Sequence, residues 1–466
     1  MSPQTSVGPY DIFSLDANTQ APWYVIPFDK NGNCTGPKTR DHLLDAVRQG
    51  DFTDVYIFAH GWNNDWRDAV GDNPSGGPAI GGYRGMIQSY VNFRRAHNLA
   101  YQRAYRPLLI GIFWPSAWLV LPWESAPQIA ATDPQIAATA VAQERRALEE
   151  VAQLIDDADV EAFYAYAQQD KLSEDDAREL ARILLPVYNQ AAPAGPSDVP
   201  RPSGQVTPDQ LVEVWRKIGG RETPLDTGES GGLFNLGDSQ SGPQVAGLLE
   251  NLDPRMLLRG ASVWVMKDRA GTVGARGVAS LLTSLLSASS NTRVHAIGHS
   301  FGCRVLLSAI CFPPSLPRKV DSLLLLQPAV SHLCFASDVA GSGKPGGHRP
   351  ALDRVEQPIM LTFSNEDQPL HSFFHLALVR AADVGDTQIA GGDEPPNIYA
   401  ALGGYGPRGL ATNECTTIPI KPVGQAYDLG AGAPEIYALD GAGVIHDHGD
   451  FNQEVTWWAL YNQVAH

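Results

Sequence analysis

The chain of 466 residues has little cysteine, no surplus of basic residues and no apolar run long enough to span a bilayer. Its five cysteines are scattered and include no C-x-x-C pair, so no zinc or redox motif of that spacing is present. The 34 lysines and arginines are outnumbered by 51 acidic residues, which gives a formal net charge of −17. This charge argues against nucleic acid and anionic membranes as main partners, since both attract basic surfaces.

The amino-terminal residues also lack the basic and apolar segments of a secretory signal peptide. Together with the scattered cysteines, this predicts a reducing, cytoplasmic location. Hydrophobic residues make up 43% of the chain, which is typical of a globular protein rather than a disordered one. Composition leaves the oligomeric state open.

A G-x-S-x-G pentapeptide at residues 298–302 lies between two segments of different periodicity. Residues 294–297 form a short, mostly apolar run, which is typical of a buried strand. Residues 303–310 then place apolar side chains at helical spacing. Strand, sharp turn and helix in this order form a nucleophile elbow, which lifts a serine hydroxyl out of the sheet. The pattern therefore predicts Ser300 as a nucleophile.

A second apolar strand, predicted at residues 55–59, runs directly into His60 and Gly61. In proteins with a nucleophile elbow, a backbone N–H just past such a glycine points at the place where the substrate oxygen becomes negative. We therefore expect an oxyanion hole made by the backbone N–H groups of Trp62 and Phe301. The second of these lies at the amino end of the helix that follows the elbow.

A serine hydroxyl is a poor nucleophile at neutral pH and needs a base, which in turn needs an acid to orient it. With a nucleophile elbow, the chain order is serine, then acid, then histidine. Two carboxylates, Glu366 and Asp367, directly follow a strand predicted at residues 358–364. We favour Asp367 as the acid, with Glu366 and Asp338 as alternatives.

The base is expected in a loop close to the carboxyl terminus, before a final helix that starts at Asp450 or Asn452. His448 is the favoured residue there, and His446 is the alternative. Two further histidines, His371 and His375, lie too close to the strand of the acid for this order.

Three patterns indicate other chemistry and are rejected. His446, His448 and Asp450 have the spacing of a compact metal site, but a metal there would leave the elbow serine without a role. The glycines at residues 271–277 are spaced G-x-x-G-x-x-G, which indicates close helix packing rather than a dinucleotide loop. The run at residues 340–347 lacks the leading glycine and the Ser/Thr of a phosphate loop. We expect no metal and no cofactor.

Strands that alternate with helices, many of them continuous apolar runs, predict an α/β fold with a mainly parallel, doubly wound sheet. Mostly helical segments interrupt this pattern at residues 117–259. We therefore expect a core formed by residues 1–116 and 260–466, with the interruption as an insertion. The second part of the core is predicted to open with a strand at residues 261–266 and a helix at residues 272–288.

The loop at residues 60–64, the pentapeptide, Asp367 and the His-Gly-Asp run from His448 together resemble the α/β-hydrolase superfamily, in particular its serine esterases and lipases. The resemblance covers both parts of the core from residue 20 onward. It implies the α/β-hydrolase fold, with the insertion as a lid or cap. It also implies cleavage of carboxylic esters through a Ser-Asp-His triad and an acyl-enzyme intermediate.

Three tryptophans are candidates for lining an acyl pocket, which predicts a small apolar ester as substrate: Trp114 just before the insertion, and Trp118 and Trp123 at its start. The alternative is that they fill the core of the insertion itself. The same machinery serves thioesters and amides, and an acyltransferase uses an alcohol in place of water. A binding protein with a hydrolase fold but no catalysis is a further alternative.

Overall fold

A computed structural model describes residues 7–16, 19–62, 64, 66–71, 82–116, 148–169, 171–189, 207–219, 254–339, 343–374 and 400–466. Nine strands in these ranges form a single sheet: β1 (Asp11–Ser14), β2 (Gln20–Pro27), β3 (Asp54–Ala59), β4 (Pro107–Phe113), β5 (Arg293–His299), β6 (Ser322–Leu326), β7 (Ile359–Phe363), β8 (Cys415–Pro419) and β9 (Ile436–Asp440). Their order in the sheet is β1-β2-β4-β3-β5-β6-β7-β9-β8.

Every strand pairing is parallel except that between β1 and β2, at one edge of the sheet. All residues of β3 and β6 are buried, as expected for strands covered on both faces. Along β3, Val55 and Ile57 pack into one hydrophobic cluster while Tyr56 and Phe58 pack into another. The prediction of an α/β fold with a mainly parallel sheet is confirmed.

The described helices alternate with the strands along most of the chain. They are α1 (Pro37–Gln49), α2 (Trp66–Val70), α3 (Gly82–Ala96), α4 (Val160–Ala167), α5 (Glu174–Asn189), α6 (Pro208–Gly219), α7 (Pro254–Thr272), α8 (Ala279–Ala288), α9 (Phe301–Cys311), α10 (Ala351–Arg354), α11 (Leu402–Tyr405) and α12 (Glu454–Ala465). None of these helices combines the length and the apolar character that crossing a membrane requires.

The predicted strand at residues 261–266 is wrong, because these residues lie inside α7. A short apolar run fits a buried helix as well as a buried strand, and only the flanking sequence separates the two. A π-helical turn, Val273–Val278, joins α7 to α8. There a Cβ atom on Gly274 would lie 2.2 Å from the carbonyl oxygen of Val305 in α9. Close helix packing, the role predicted for this glycine, is confirmed.

Three strands, β1, β8 and β9, were not predicted, and α12 begins at Glu454, later than expected. Strand β9 matters most of these, because it leads into the loop that carries His448.

The helices predicted within residues 117–259 are confirmed where that range is described, as α4, α5 and α6. Phe163 of α4 and Leu180 of α5 belong to the same hydrophobic cluster as Trp114 and Phe301. The helices between β4 and β5 therefore share a core with the start of α9. Helix α7 runs across the predicted boundary between residues 259 and 260.

Candidate active site

Ser300 lies between the last residue of β5 and the first residue of α9, with φ 54° and ψ −125°. A positive φ is unfavourable for a residue with a side chain and persists only where the surrounding structure imposes it. A Cβ on Gly298 would lie 2.8 Å from backbone atoms of Cys303, and one on Gly302 would lie 2.1 Å from the carbonyl oxygen of Ala59. Both glycines of the pentapeptide are therefore required by close packing.

The loop after β3 passes directly over this turn, because β3 and β5 are parallel neighbours. A Cβ on Gly61 would lie 2.8 Å from the Cβ of Ser300 and 3.1 Å from Nδ1 of His299. Glycine is needed here for the backbone to approach the serine this closely. Among the described residues, the backbone N–H groups of Trp62 and Phe301 have no hydrogen-bond acceptor. The two N–H groups predicted to form an oxyanion hole are thus unpaired among the described residues.

His60 stabilises the loop through hydrogen bonds of its backbone and through stacking of its ring. Its backbone N–H donates to Oη of Tyr83 at 3.0 Å, and its carbonyl accepts the indole N–H of Trp114, also at 3.0 Å. The imidazole stacks on the Trp114 ring with centroids 5.6 Å apart. Burial lowers the pKa of His60 to about 4, so the ring is neutral at physiological pH.

Trp114, a predicted pocket residue, is fully buried in this contact with His60. The other two predicted pocket residues, Trp118 and Trp123, lie outside the described residues. A different aromatic group adjoins the elbow: the ring of Phe301 lies 6.2 Å from that of Trp62 and 6.0 Å from that of Phe374. The apolar character of the Phe374 position was not singled out from the sequence.

A second support of the loop comes from Asn64. Its side-chain amide donates to the carbonyl oxygens of Gly61 at 3.2 Å and Trp62 at 2.9 Å. Its backbone N–H in turn donates to Oγ of Ser116, at 3.0 Å. Because a carbonyl group shares its peptide plane with the N–H of the next residue, the bond to Gly61 also fixes the N–H of Trp62. The sequence motif alone indicated no role for Ser116.

Asp367 and His448 are brought together by the carboxyl ends of β7 and β9, which are parallel neighbours. Nδ1–H of His448 donates to Oδ2 of Asp367 at 2.8 Å, and both side chains are buried. Oδ1 of Asp367 accepts the backbone N–H of Leu370 at 3.1 Å. This bonding leaves Nε2 of His448 as the unprotonated nitrogen. Burial by itself lowers the pKa of His448, but the charge and hydrogen bond of Asp367 outweigh it, and the pKa is raised.

His299, the residue before Ser300, contacts the proposed base His448. Nε2–H of His299 donates to the carbonyl oxygen of His448 at 3.0 Å, and the two rings lie 4.9 Å apart. Burial, and then the charge of His448, hold the pKa of His299 far below its ordinary value, so it acts as a neutral donor. Oγ of Ser300 and Nε2 of His448 are both buried and accept or donate no hydrogen bond among the described residues.

The alternative acid and base form a separate, exposed pair. Nδ1 of His446 lies 2.5 Å from a carboxylate oxygen of Glu366, so neither is directed at His448. This bond raises the pKa of His446 and lowers that of Glu366. Asp338 is exposed, and its carboxylate accepts the backbone N–H of Gly343.

The remaining histidines weighed as bases do not reach the site either. The ring of His371 bonds the carbonyl oxygen of Gly404 at 2.9 Å and stacks on Tyr405. His375 lies outside the described residues. The metal-like run is also divided, because His446 and His448 have different carboxylate partners. Within the described ranges, no three Cys, His, Asp or Glu side chains are grouped to hold a metal ion.

A second hydrogen-bonded Ser-His-Asp series lies at the amino ends of the strands, away from the carboxyl ends that lead to Ser300 and Asp367. Nδ1 of His295 is 2.7 Å from Oγ of Ser322, and Nε2 of His295 is 3.0 Å from Oδ1 of Asp54. All three side chains are buried at the amino ends of β3, β5 and β6. Ligands of parallel α/β sheets bind at the carboxyl ends of strands, where Ser300 lies. The Ser322 series is therefore a structural network.

Gln327, directly after β6, is the residue of this site that sequence reasoning missed. The sequence predicts no functional role for it, yet it is fully buried and has φ 43°. Its side-chain amide donates to Oδ2 of Asp367 at 2.7 Å. Its sequence neighbours carry no signal for this contact, which joins two segments 40 residues apart.

Comparisons of the chain with protein-family models, with curated proteins and with solved structures find no match.

Proposed function

We propose that this chain is a serine hydrolase that cleaves carboxylic esters through an acyl-enzyme intermediate, on an α/β-hydrolase fold. The observation that carries the proposal is the strained Ser300, held against the glycine of the β3 loop and joined through His299 to the paired His448 and Asp367. The chain order of serine, acid and histidine is that of the α/β-hydrolases, as is a donor loop after the third strand.

In the first half of the reaction, Nε2 of His448 takes the proton of Ser300 as Oγ attacks the ester carbonyl. Asp367 holds the proton of Nδ1 and stabilises the imidazolium that forms. The negative oxygen of the tetrahedral intermediate accepts the N–H groups of Phe301 and Trp62, which have no other acceptor among the described residues. The imidazolium then gives its proton to the departing alkoxide, and the acyl group stays on Ser300.

In the second half, a water molecule replaces the alcohol. His448 takes a proton from this water as its oxygen attacks the acyl carbonyl, through the same two N–H donors. Collapse of the second intermediate breaks the bond to Ser300, whose oxygen recovers the proton from His448. The products are a carboxylic acid and an alcohol, and the enzyme returns to its starting state.

An apolar acyl group is the substrate class that the surroundings favour. The uncharged rings of Trp62 and Phe374 pack against that of Phe301, the residue after the proposed nucleophile. Ser300 is only 1% exposed, so substrate access requires a movement of the segments above it. We assign that role to the insertion, as a lid, because it follows the carboxyl end of β4, which is the parallel neighbour of β3.

Labelling with a fluorophosphonate probe tests the nucleophile, since such probes phosphonylate activated serines. We expect the probe on Ser300 of the wild type and no label on Ser300→Ala. The matched control is Ser308→Ala, because Ser308 is a buried serine on the same helix whose Oγ makes no hydrogen bond among the described residues. Label that persists in Ser300→Ala, or that disappears in Ser308→Ala, contradicts the assignment.

The base and the acid are tested against their neighbours. Asp367→Asn and His448→Ala should slow labelling strongly, whereas Glu366→Gln and His446→Ala should not, because that pair is exposed. Equal losses from both pairs would show that the loop, and not the buried pair, is what the reaction needs. A panel of p-nitrophenyl esters of increasing acyl length then identifies the preferred substrate.

Acyl transfer to an alcohol is a second candidate, and the burial of the site favours it. Ser300 is 1% exposed and His448 3%, so bulk water is excluded from both reacting atoms. Incubation with an ester and a second alcohol decides between the two: a new ester as main product indicates a transferase, and free acid indicates a hydrolase.

A further inference from the structure

Gln327 occupies a strained position at the point where β6, β7 and the His448 loop converge. Its φ of 43° is one of few positive values among the described residues other than glycine, and Ser300 is another. Its backbone N–H donates to Oγ1 of Thr362 on β7 at 3.0 Å. A non-glycine residue at positive φ that is also fully buried indicates a conformation that the surrounding structure imposes.

The side-chain amide of Gln327 joins the acid to the loop of the base. Nε2 donates to Oδ2 of Asp367 at 2.7 Å and to the carbonyl oxygen of Asp447 at 2.9 Å. Asp447 is the residue immediately before His448. One amide group therefore binds both the carboxylate of Asp367 and the backbone next to His448.

One carboxylate oxygen of Asp367 accepts two hydrogen bonds, one from Gln327 and one from His448. Oδ2 takes the amide of Gln327 at 2.7 Å and Nδ1–H of His448 at 2.8 Å. A second donor on a carboxylate oxygen withdraws negative charge from it and weakens its bond to the first. Loss of the Gln327 donor should therefore strengthen the attraction of Asp367 for the imidazolium of His448.

We propose that Gln327 is a positioning residue of this site, whose amide orients Asp367 towards His448 and sets how strongly that carboxylate holds the imidazolium. The proposal rests on the hydrolase function proposed above. The other titratable groups that face His448 are Asp447 in its own loop and His299 at the end of β5. Substitution of Gln327 changes neither of these side chains, but it removes the hydrogen bond to the backbone carbonyl of Asp447.

The test variant is Gln327→Met, which keeps the length of the side chain and removes the amide. Its matched control is Gln463→Met, because Gln463 is also fully buried and its amide also donates to two oxygens, the carbonyls of Leu323 and Pro358. Gln327→Asn serves as the second variant, since asparagine tolerates positive φ well and its shorter side chain draws the amide away from Asp367.

Two quantities are measured on the folded proteins. One is the rate of fluorophosphonate labelling as a function of pH. The other is the NMR titration of His448, whose signal is identified by its loss in His448→Gln. In Gln327→Met and Gln327→Asn we expect the midpoint of the titration and the acid limb of the labelling profile to move together to higher pH. The rate on the plateau should fall roughly tenfold, as for one lost hydrogen bond to a charged group.

Gln463→Met should leave both curves where they are, even if it lowers stability. The proposal is overturned if the Gln327 variants keep the wild-type midpoint, or if Gln463→Met moves it equally. Failure of the hydrolase function gives a different result: the wild type is then not labelled at any pH. The titration still decides on Gln327 in that case, since a shifted midpoint supports its coupling to His448 and an unshifted one refutes it.

Discussion

Asp54→Asn perturbs the buried network at the amino ends of the strands and separates its role from that of the candidate site. The carboxylate of Asp54 is fully buried and accepts from Nε2 of His295 at 3.0 Å and from Oγ1 of Thr53 at 2.6 Å. Both terminal nitrogens of Arg103 also donate to it, at 2.6 and 2.7 Å. A neutral amide cannot balance the charge of Arg103 and turns one acceptor into a donor.

The magnitude follows from the pKa of Asp54. Burial alone would raise this pKa, but the hydrogen bonds of His295 and Arg103 outweigh it and lower the pKa from 3.8 to about 2. At 1.36 kcal/mol per unit, ionisation of Asp54 contributes about 2 kcal/mol to the free energy of unfolding. Because the folded-state pKa is the lower one, this contribution is complete above pH 3.8 and is lost as the pH falls through about 2. Removal of one partner from a buried ion pair costs more, roughly 3–5 kcal/mol.

Urea unfolding followed by tryptophan fluorescence measures this loss. We expect Asp54→Asn to be less stable than the wild type by roughly 3–5 kcal/mol at neutral pH. Near pH 2 the difference in the free energy of unfolding should be smaller by about 2 kcal/mol. The control is Asp321→Asn, whose partly exposed pair with Arg318 should contribute about 1 kcal/mol at most. A difference between wild type and Asp54→Asn that is independent of pH, or a loss of probe labelling in the folded variant, would refute the reasoning.

Three further predictions concern the candidate site. Gly61→Ala places a Cβ 2.8 Å from that of Ser300 and should lower the labelling rate about 100-fold by displacing the loop, while circular dichroism stays unchanged. Ser300→Gly should abolish labelling yet raise the free energy of unfolding by roughly 1 kcal/mol in urea titrations, because glycine relieves the strained φ of 54°; a less stable variant would contradict this. Asp367→Asn should slow turnover about 10⁴-fold. It should also move the acid limb of the pH–rate profile to lower pH, since the carboxylate that raises the pKa of His448 is gone; an unmoved limb would exclude Asp367 as the partner of His448.

The elements of this fold could be predicted wherever periodicity and length agreed. Residues 55–59 and 107–115 are apolar runs of strand length, and they became β3 and β4. The run at residues 261–266 has the same composition but became part of α7. The helix continues on both sides of these six residues, so the run by itself does not distinguish a strand from a helix. Strand β9 was missed although it is as long as the predicted strand β7.

The sequence does not determine which of two neighbouring carboxylates pairs with which histidine. Glu366 and Asp367 are adjacent in the chain, as His446 and His448 nearly are, and either acid fits the required order. The backbone after β7 turns one carboxylate outward to His446 and the other inward to His448. Adjacent side chains on a turn point in different directions, and only the tertiary path of the turn selects the inner one.

Local sequence was sufficient for Ser300, because a nucleophile elbow is a local device: its strand, its glycines and its helix all lie within twenty residues. The contacts of Gln327 and of the Asp54 network join segments far apart in the chain, and no spacing or periodicity encodes them. They arise when parallel strands bring their equivalent ends to the same edge of a sheet. The proposed nucleophile thus follows from one short stretch of sequence, whereas the contacts of its proposed partners are decided by strand order and register.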